Sequence, residues 1–261
     1  MRARHLQPYY FGPPERRLFA CYHPPRGTPA SDLGVLLCYP LGEEYLLAHR
    51  AFRRLATLLS RRGFPSLRFD YFGTGDSAGS PEAQTLDGFI EDVVSAVTEM
   101  RTSHGCRRIG LVGLRLGATF GLFASGRLRD LSATVLWEPV LSGRAYLDEP
   151  EASDAGPPMA RRPPPGAVDW RYRRQSMPSR LVADLEQLDV GSTSGTPAGE
   201  FLLLGYDHDG PTMELSRRLT EAGAACRREL VEGPRFWMQD IHRVLVPQRT
   251  LESILRWLSE V

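Results

Sequence analysis

The sequence has no apolar run approaching the ~18 residues that a bilayer-spanning helix needs, so no membrane span is expected. Its four cysteines, Cys21, Cys38, Cys106 and Cys226, lie far apart and form no C-x-x-C or metal-type spacing. That argues against a disulfide framework and for buried, reduced thiols. A dominant sign of charge is missing too: 32 basic residues against 31 acidic ones leave a net charge of +1. No global field draws the chain to nucleic acid or to an anionic membrane. Arginine supplies the positive charge, which reads as a GC-rich bacterial coding bias rather than a binding surface. The opening Met1-Arg-Ala-Arg-His-Leu-Gln-Pro8 lacks the apolar stretch of a secretory signal, and a cytoplasmic location is expected. The loop Gly73-Thr-Gly-Asp76 matches neither a P-loop nor a full dinucleotide fingerprint, and Asp240-Ile-His242 alone is too little for a metal site. No cofactor is expected.

What is present is an alternation of strand and helix patterns. With 261 residues, 42% of them apolar, the chain is long enough for one large α/β domain. Arg16–Tyr22 alternates like an antiparallel strand, and Gly34–Cys38 is a continuous apolar run. His49–Arg62 has helical spacing and stops at Gly63. Strand Ser66–Asp70, helix Asp87–Met100, strand Ile109–Gly113, a helix over Ala118–Ala124 and strand Ala133–Trp137 continue the rhythm. After a proline-rich interruption and a short helix at Ser179–Leu188, it resumes with strand Phe201–Gly205 and helix Met213–Ala222. Strand Arg227–Val231 and helix Pro247–Leu258 close it. This pattern implies one domain, 1–261, with a mostly parallel sheet and an insertion over 143–190. Ligands of such sheets bind at the strand ends.

The most informative segment is Gly113-Leu-Arg-Leu-Gly117. It has the strand–turn–helix context and the spacing of a nucleophile elbow, G-x-S-x-G, with arginine in place of serine. A guanidinium stays protonated and has no usable lone pair, so it cannot be the nucleophile.

Together with Leu36-Leu-Cys-Tyr-Pro-Leu-Gly-Glu-Glu44 and Leu67-Arg-Phe-Asp-Tyr-Phe-Gly-Thr-Gly-Asp-Ser77, the elbow resembles the α/β-hydrolase superfamily. Within it, the serine-aminopeptidase and monoacylglycerol-lipase-like branch is nearest. The strings Gly113–Ala118, Trp137–Val140 and Asp184–Val190 are similar to hydrolases associated with exosortase systems. The resemblance implies the α/β-hydrolase fold, a short cap over 143–190 and oxyanion-hole amides at Leu41 and Leu116. It implies an acid after the strand at Phe201–Gly205, where Asp209 fits better than Asp207. A histidine is due after the last strand, but Glu232–Trp237 holds none; His242 follows later and reaches the site only if its loop folds back.

A buried Arg115 needs an anionic partner, for which Glu43, Glu44 and Asp209 are the candidates. Two functions then compete. In the first, a hydrolase-like enzyme with altered chemistry acts on an acyl ester, thioester or related carbonyl compound, with Asp209, Glu44, His49 or His242 handling protons. In the second, an inactive scaffold binds an anionic ligand or a protein partner through the Arg115 pocket. Cys38, Thr119 and Ser77 are weaker candidates for a substitute nucleophile, because none has an evident base beside it.

Overall fold

Among the described residues, eight strands form one mixed sheet. The computed structural model describes residues 6–26, 29–128, 130–149, 173–192, 199–238 and 245–261. At one edge, β1 (Gln7–Phe11) and β2 (Leu18–His23) run antiparallel. From β4 (Ser66–Phe69) through β3 (Leu33–Cys38), β5 (Arg108–Leu114), β6 (Ala133–Trp137), β7 (Glu200–Gly205) and β8 (Ala225–Leu230) the pairing is parallel. The central strands are continuous apolar runs because helices cover both of their faces. Among the described residues no helix is long and apolar enough to cross a membrane.

Helices α1 (Glu43–Arg61), α2 (Leu86–Thr102), α3 (Leu116–Arg127), α7 (Pro211–Glu221) and α8 (Gln248–Leu258) flank the sheet. Between β6 and β7 lie α4 (Gly143–Leu147), α5 (Arg173–Ser176) and α6 (Ser179–Glu186). The proline-rich part of the 143–190 segment falls outside the described residues.

Two departures from the sequence pattern have physical reasons. Strand β1 is not apparent in the sequence because it is short and holds Pro8, which an edge strand tolerates. Helix α1 begins at Glu43, six residues before the apolar spacing at His49 suggests. Its first turn carries Glu43 and Glu44, favourable at a helix N-terminus though not apolar.

The turn from β5 to α3 is shaped by close approach. A Cβ on Gly113 would lie 2.5 Å from the Ala118 backbone, and one on Gly117 would lie 2.3 Å from the carbonyl oxygens of Cys38 and Tyr39. Only glycine lets α3 start so near the end of β3. The glycine-rich loop after β4 has a structural role too: Asp70 accepts from Tyr45 Oη (2.9 Å) and Asp76 N (3.0 Å), and Gly75 leaves it room.

Beside that loop, buried Arg68 donates to His23 Nε2 (3.0 Å) and Tyr39 Oη (3.0 Å). Burial, aided by the charges of Arg68, Arg53 and Arg26, pushes the His23 pKa down to about 4. The unfolded chain takes up this proton near the ordinary histidine value and the folded chain does not. Stability is therefore intact above about pH 6.5 and falls as the pH drops toward 4, by on the order of 2 kcal/mol from this group. Urea melts between pH 7 and 4 should show that loss, and His23→Gln should flatten it. An unchanged slope in the variant would contradict the assignment.

Candidate functional site

The register of the central strands sets two residues side by side at the C-terminal edge of the sheet. Leu114 of β5 pairs with Trp137 of β6, so Arg115 and Glu138 are the next residues of each chain. Arg115 N donates to Trp137 O at 3.0 Å and Glu138 N to Leu204 O at 2.8 Å. Arg115 has φ 54° and Glu138 φ 45°, and no other described non-glycine residue has positive φ. Strain of this kind collects at functional sites.

Arg115 is 7% exposed, and its side chain meets two carboxylates. Its Nε donates to Glu44 Oε1 at 2.9 Å, and its Nη2 donates to Glu149. Glu44, 1% exposed, also accepts from Arg173 Nη2 (2.9 Å) and from Tyr146 Oη (3.3 Å). Arg173, 2% exposed, donates to Tyr146 Oη at 3.2 Å and stacks over its ring at 4.5 Å. The cluster balances two guanidiniums with two carboxylates, as buried charges require. Burial works against the Arg115 charge, but Glu44 and Glu149 more than offset it, so its pKa is raised. No described residue accepts from its remaining nitrogen, Nη1.

A cavity of about 590 Å³ opens beside Arg115, walled by Val140, Leu141, Trp237 and Met238. Its polar lining includes Glu138, Glu149, Asp189, Asp207 and Arg235. Arg235 Nη2 lies 2.7 Å from Asp207 Oδ2 and 3.6 Å from Glu138 Oε1. Burial raises the Glu138 pKa, with Arg235 and Arg115 opposing. A second cavity, about 520 Å³, is lined by Leu41, Tyr45, Leu46, Met177 and Leu181. Cavities of this size accommodate small molecules.

The other sequence-derived candidates fall in several places. Leu41 and Leu116 flank the contact between the end of β3 and the start of α3, and no described residue accepts from either amide N–H. Leu41 lines the second cavity, not the one beside Arg115. Asp207 lines the Arg115 cavity, whereas Asp209 lines a separate depression with Met213 and Glu214. His242 lies outside the described residues. His49 Nε2 is 3.4 Å from Arg68 Nη1, within the His23 cluster. Among the described residues no histidine lines the Arg115 cavity.

The substitute nucleophiles are occupied or inert. Burial pushes the Cys38 thiol up to about 12. Thr119 Oγ1 donates to Val140 O at 2.7 Å, and Ser77 Oγ donates to Asp70 O at 2.6 Å. All four cysteines are free, and no described group of side chains could hold a metal ion.

Glu138, Tyr146, Glu149, Arg173 and Arg235 are members of the site that sequence reasoning missed. Glu138 carried a signal, since it directly follows a parallel strand. Glu149 and Arg173 carried none, because they meet Arg115 only through the long connection between β6 and β7.

No family model matches the sequence, and no curated protein matches it either. Solved structures do match in fold. The Pyrococcus furiosus esterase Pf2001 superposes with a TM-score of 0.66 at 14% identity, over 98% of this chain and 90% of that one. Est1E from Butyrivibrio proteoclasticus, solved with ferulic acid bound, gives 0.64 at 18%, over 97% and 98%. XC6422 from Xanthomonas campestris, described as an α/β serine hydrolase without a lid, gives 0.56 at 17%, over 98% and 96%. The sheet order, the flanking helices and these likenesses identify the architecture: the chain has the α/β-hydrolase fold.

Proposed function

We propose that this protein binds a small uncharged acyl compound, such as an ester, in the cavity beside Arg115 without cleaving it. One observation carries the reading: at the position where the elbow motif places its nucleophile, the Arg115 guanidinium is committed through Nε and Nη2 to Glu44 and Glu149. With those donors taken, an anionic ligand would have to displace Glu149 and then face Glu138 and Asp207. A neutral carbonyl oxygen can accept from Arg115 Nη1 while its alkyl or aryl group packs on Val140, Leu141 and Trp237. The described parts of the 143–190 segment, 143–149 and 173–190, act as a cap held to the core by Glu149 and Arg173. Asp209 and His242 have no part in this reading.

A second reading, hydrolysis by altered chemistry, is favoured by one feature. Glu138 is a carboxylate of raised pKa in the same cavity as Arg115, suited to take a proton from water. Against it, the Leu41 amide, needed to stabilise an oxyanion, belongs to the other cavity.

Phenyl butyrate and sodium butyrate separate ligand classes in a thermal-shift titration. At ten times its Kd the ester should raise Tm by about 3 °C and be recovered intact, and butyrate should have no effect. Val140→Trp, which fills the cavity, should abolish the shift. A shift with butyrate and none with the ester would overturn the proposal.

A further inference from the structure

Among the described residues, no carboxylate pairs with the arginines along one face of helix α1. At 3.6 residues per turn, Leu46, Arg50, Arg53, Arg54, Thr57 and Arg61 fall along one stripe. The stripe is about 22 Å long and contains no acidic residue. Elsewhere several arginines meet carboxylates: Arg101 with Asp130, Arg127 with Asp87 and Glu91, Arg217 with Glu214 and Glu221, Arg227 with Glu260, Arg249 with Glu232. Arg17, Arg107 and Arg180 are exposed without such a partner among the described residues, but none of them belongs to a row of arginines along a helix. Among the described residues, no carboxylate lies within ion-pair distance of Arg50, Arg53, Arg54 or Arg61. Like charges at i,i+3 and i,i+4, as in Arg50–Arg53 and Arg50–Arg54, work against the helix that carries them. A mere solvated face would be better served by the mixed charges of α2 or α7.

The apolar end of the stripe points to the partner. Leu46 is 54% exposed, among the most exposed large apolar side chains described. It stands at the N-terminal end of the arginine row and lines the second cavity with Tyr45, Met177 and Leu181. We infer that this face of α1 docks on an anionic lipid bilayer, the arginines meeting phosphate headgroups and Leu46 entering the acyl boundary. An extended surface with regularly spaced phosphates answers the arginine row, and its apolar interior answers Leu46; an acidic peptide or a nucleic acid answers only the row. The arrangement also turns the mouth of the Leu41 cavity toward the bilayer. This is a surface contact, consistent with the lack of a described spanning helix, and it arises from local clustering in a chain of net charge +1.

Vesicle flotation of the full chain tests it. The protein should float with phosphatidylcholine vesicles containing about 30% phosphatidylglycerol, not with pure phosphatidylcholine, and should be released by ~0.5 M salt. Arg50→Gln combined with Arg54→Gln should weaken binding roughly thirtyfold. Arg50 is exposed and Arg54 partly so, and neither side chain makes a described hydrogen bond or ion pair, so the thermal melt should not fall. Leu46→Asp should weaken vesicle binding as well, while Arg249→Gln should leave it unchanged. Equal flotation on neutral vesicles, or undiminished binding by the double variant, would overturn the inference. So would binding of polyglutamate or duplex DNA as tight as that of the vesicles and insensitive to Leu46→Asp, which would reassign the face to a soluble polyanion.

Discussion

Glu44→Gln is expected to lower the stability of the folded chain by about 3–5 kcal/mol, a fall in Tm on the order of 10 °C. Glu44 accepts from Arg115, Arg173 and Tyr146 at once, and all four side chains are buried. Its amide replacement keeps the shape but removes the charge, leaving two buried guanidiniums with only the half-exposed Glu149 between them. The cost comes from the uncompensated cations, not from the loss of a favourable bond. Adding Arg173→Met to Glu44→Gln should therefore recover part of the stability. By contrast, Arg217→Ala, which breaks exposed pairs on α7, should cost less than about 1 kcal/mol. Chemical denaturation of the four proteins makes the comparison. A loss below about 1 kcal/mol for Glu44→Gln would mean that the cluster is hydrated rather than buried.

The second large effect is expected at Gly117. In Gly117→Ala the added Cβ would stand 2.3 Å from two backbone oxygens, Cys38 O and Tyr39 O. Backbone at the end of a central strand cannot swing aside as a flexible side chain can, so α3 must back away from β3. That should cost about 3 kcal/mol and separate the Leu116 and Leu41 amides. Gly126→Ala in the same helix is the control. Nothing lies within 4 Å of its added Cβ, and the gain in helix propensity should stabilise by about 0.5–1 kcal/mol. Thermal melts of the two variants should therefore shift in opposite directions. A stable Gly117→Ala would show that the elbow is looser than its geometry indicates.

Much of the fold is legible in the sequence because buried parallel strands are continuous apolar runs. Gly34–Cys38, Ile109–Gly113 and Ala133–Trp137 each lie within an observed strand. What is harder to see obeys weaker signals. The β1 strand is short and holds a proline, and the first turn of α1 is acidic rather than apolar. At the site, the meeting of Arg115 and Glu44 follows from topology, since the elbow and the loop after β3 sit at the ends of neighbouring strands. Glu149, Tyr146 and Arg173 come from the long β6–β7 connection, whose path no local pattern encodes. The choice between Asp207 and Asp209 turns on the course of a short loop, which neither propensity nor spacing decides.

The decisive measurement is turnover of phenyl butyrate and a butyryl thioester at stoichiometric protein, for the native chain and for Arg115→Ser. The expected result is no cleavage above the buffer rate in either, because Arg115 cannot attack and no described histidine lines the cavity to activate a serine. Cleavage by the native chain that disappears in Glu138→Gln would contradict a binding role and assign the site to altered hydrolysis.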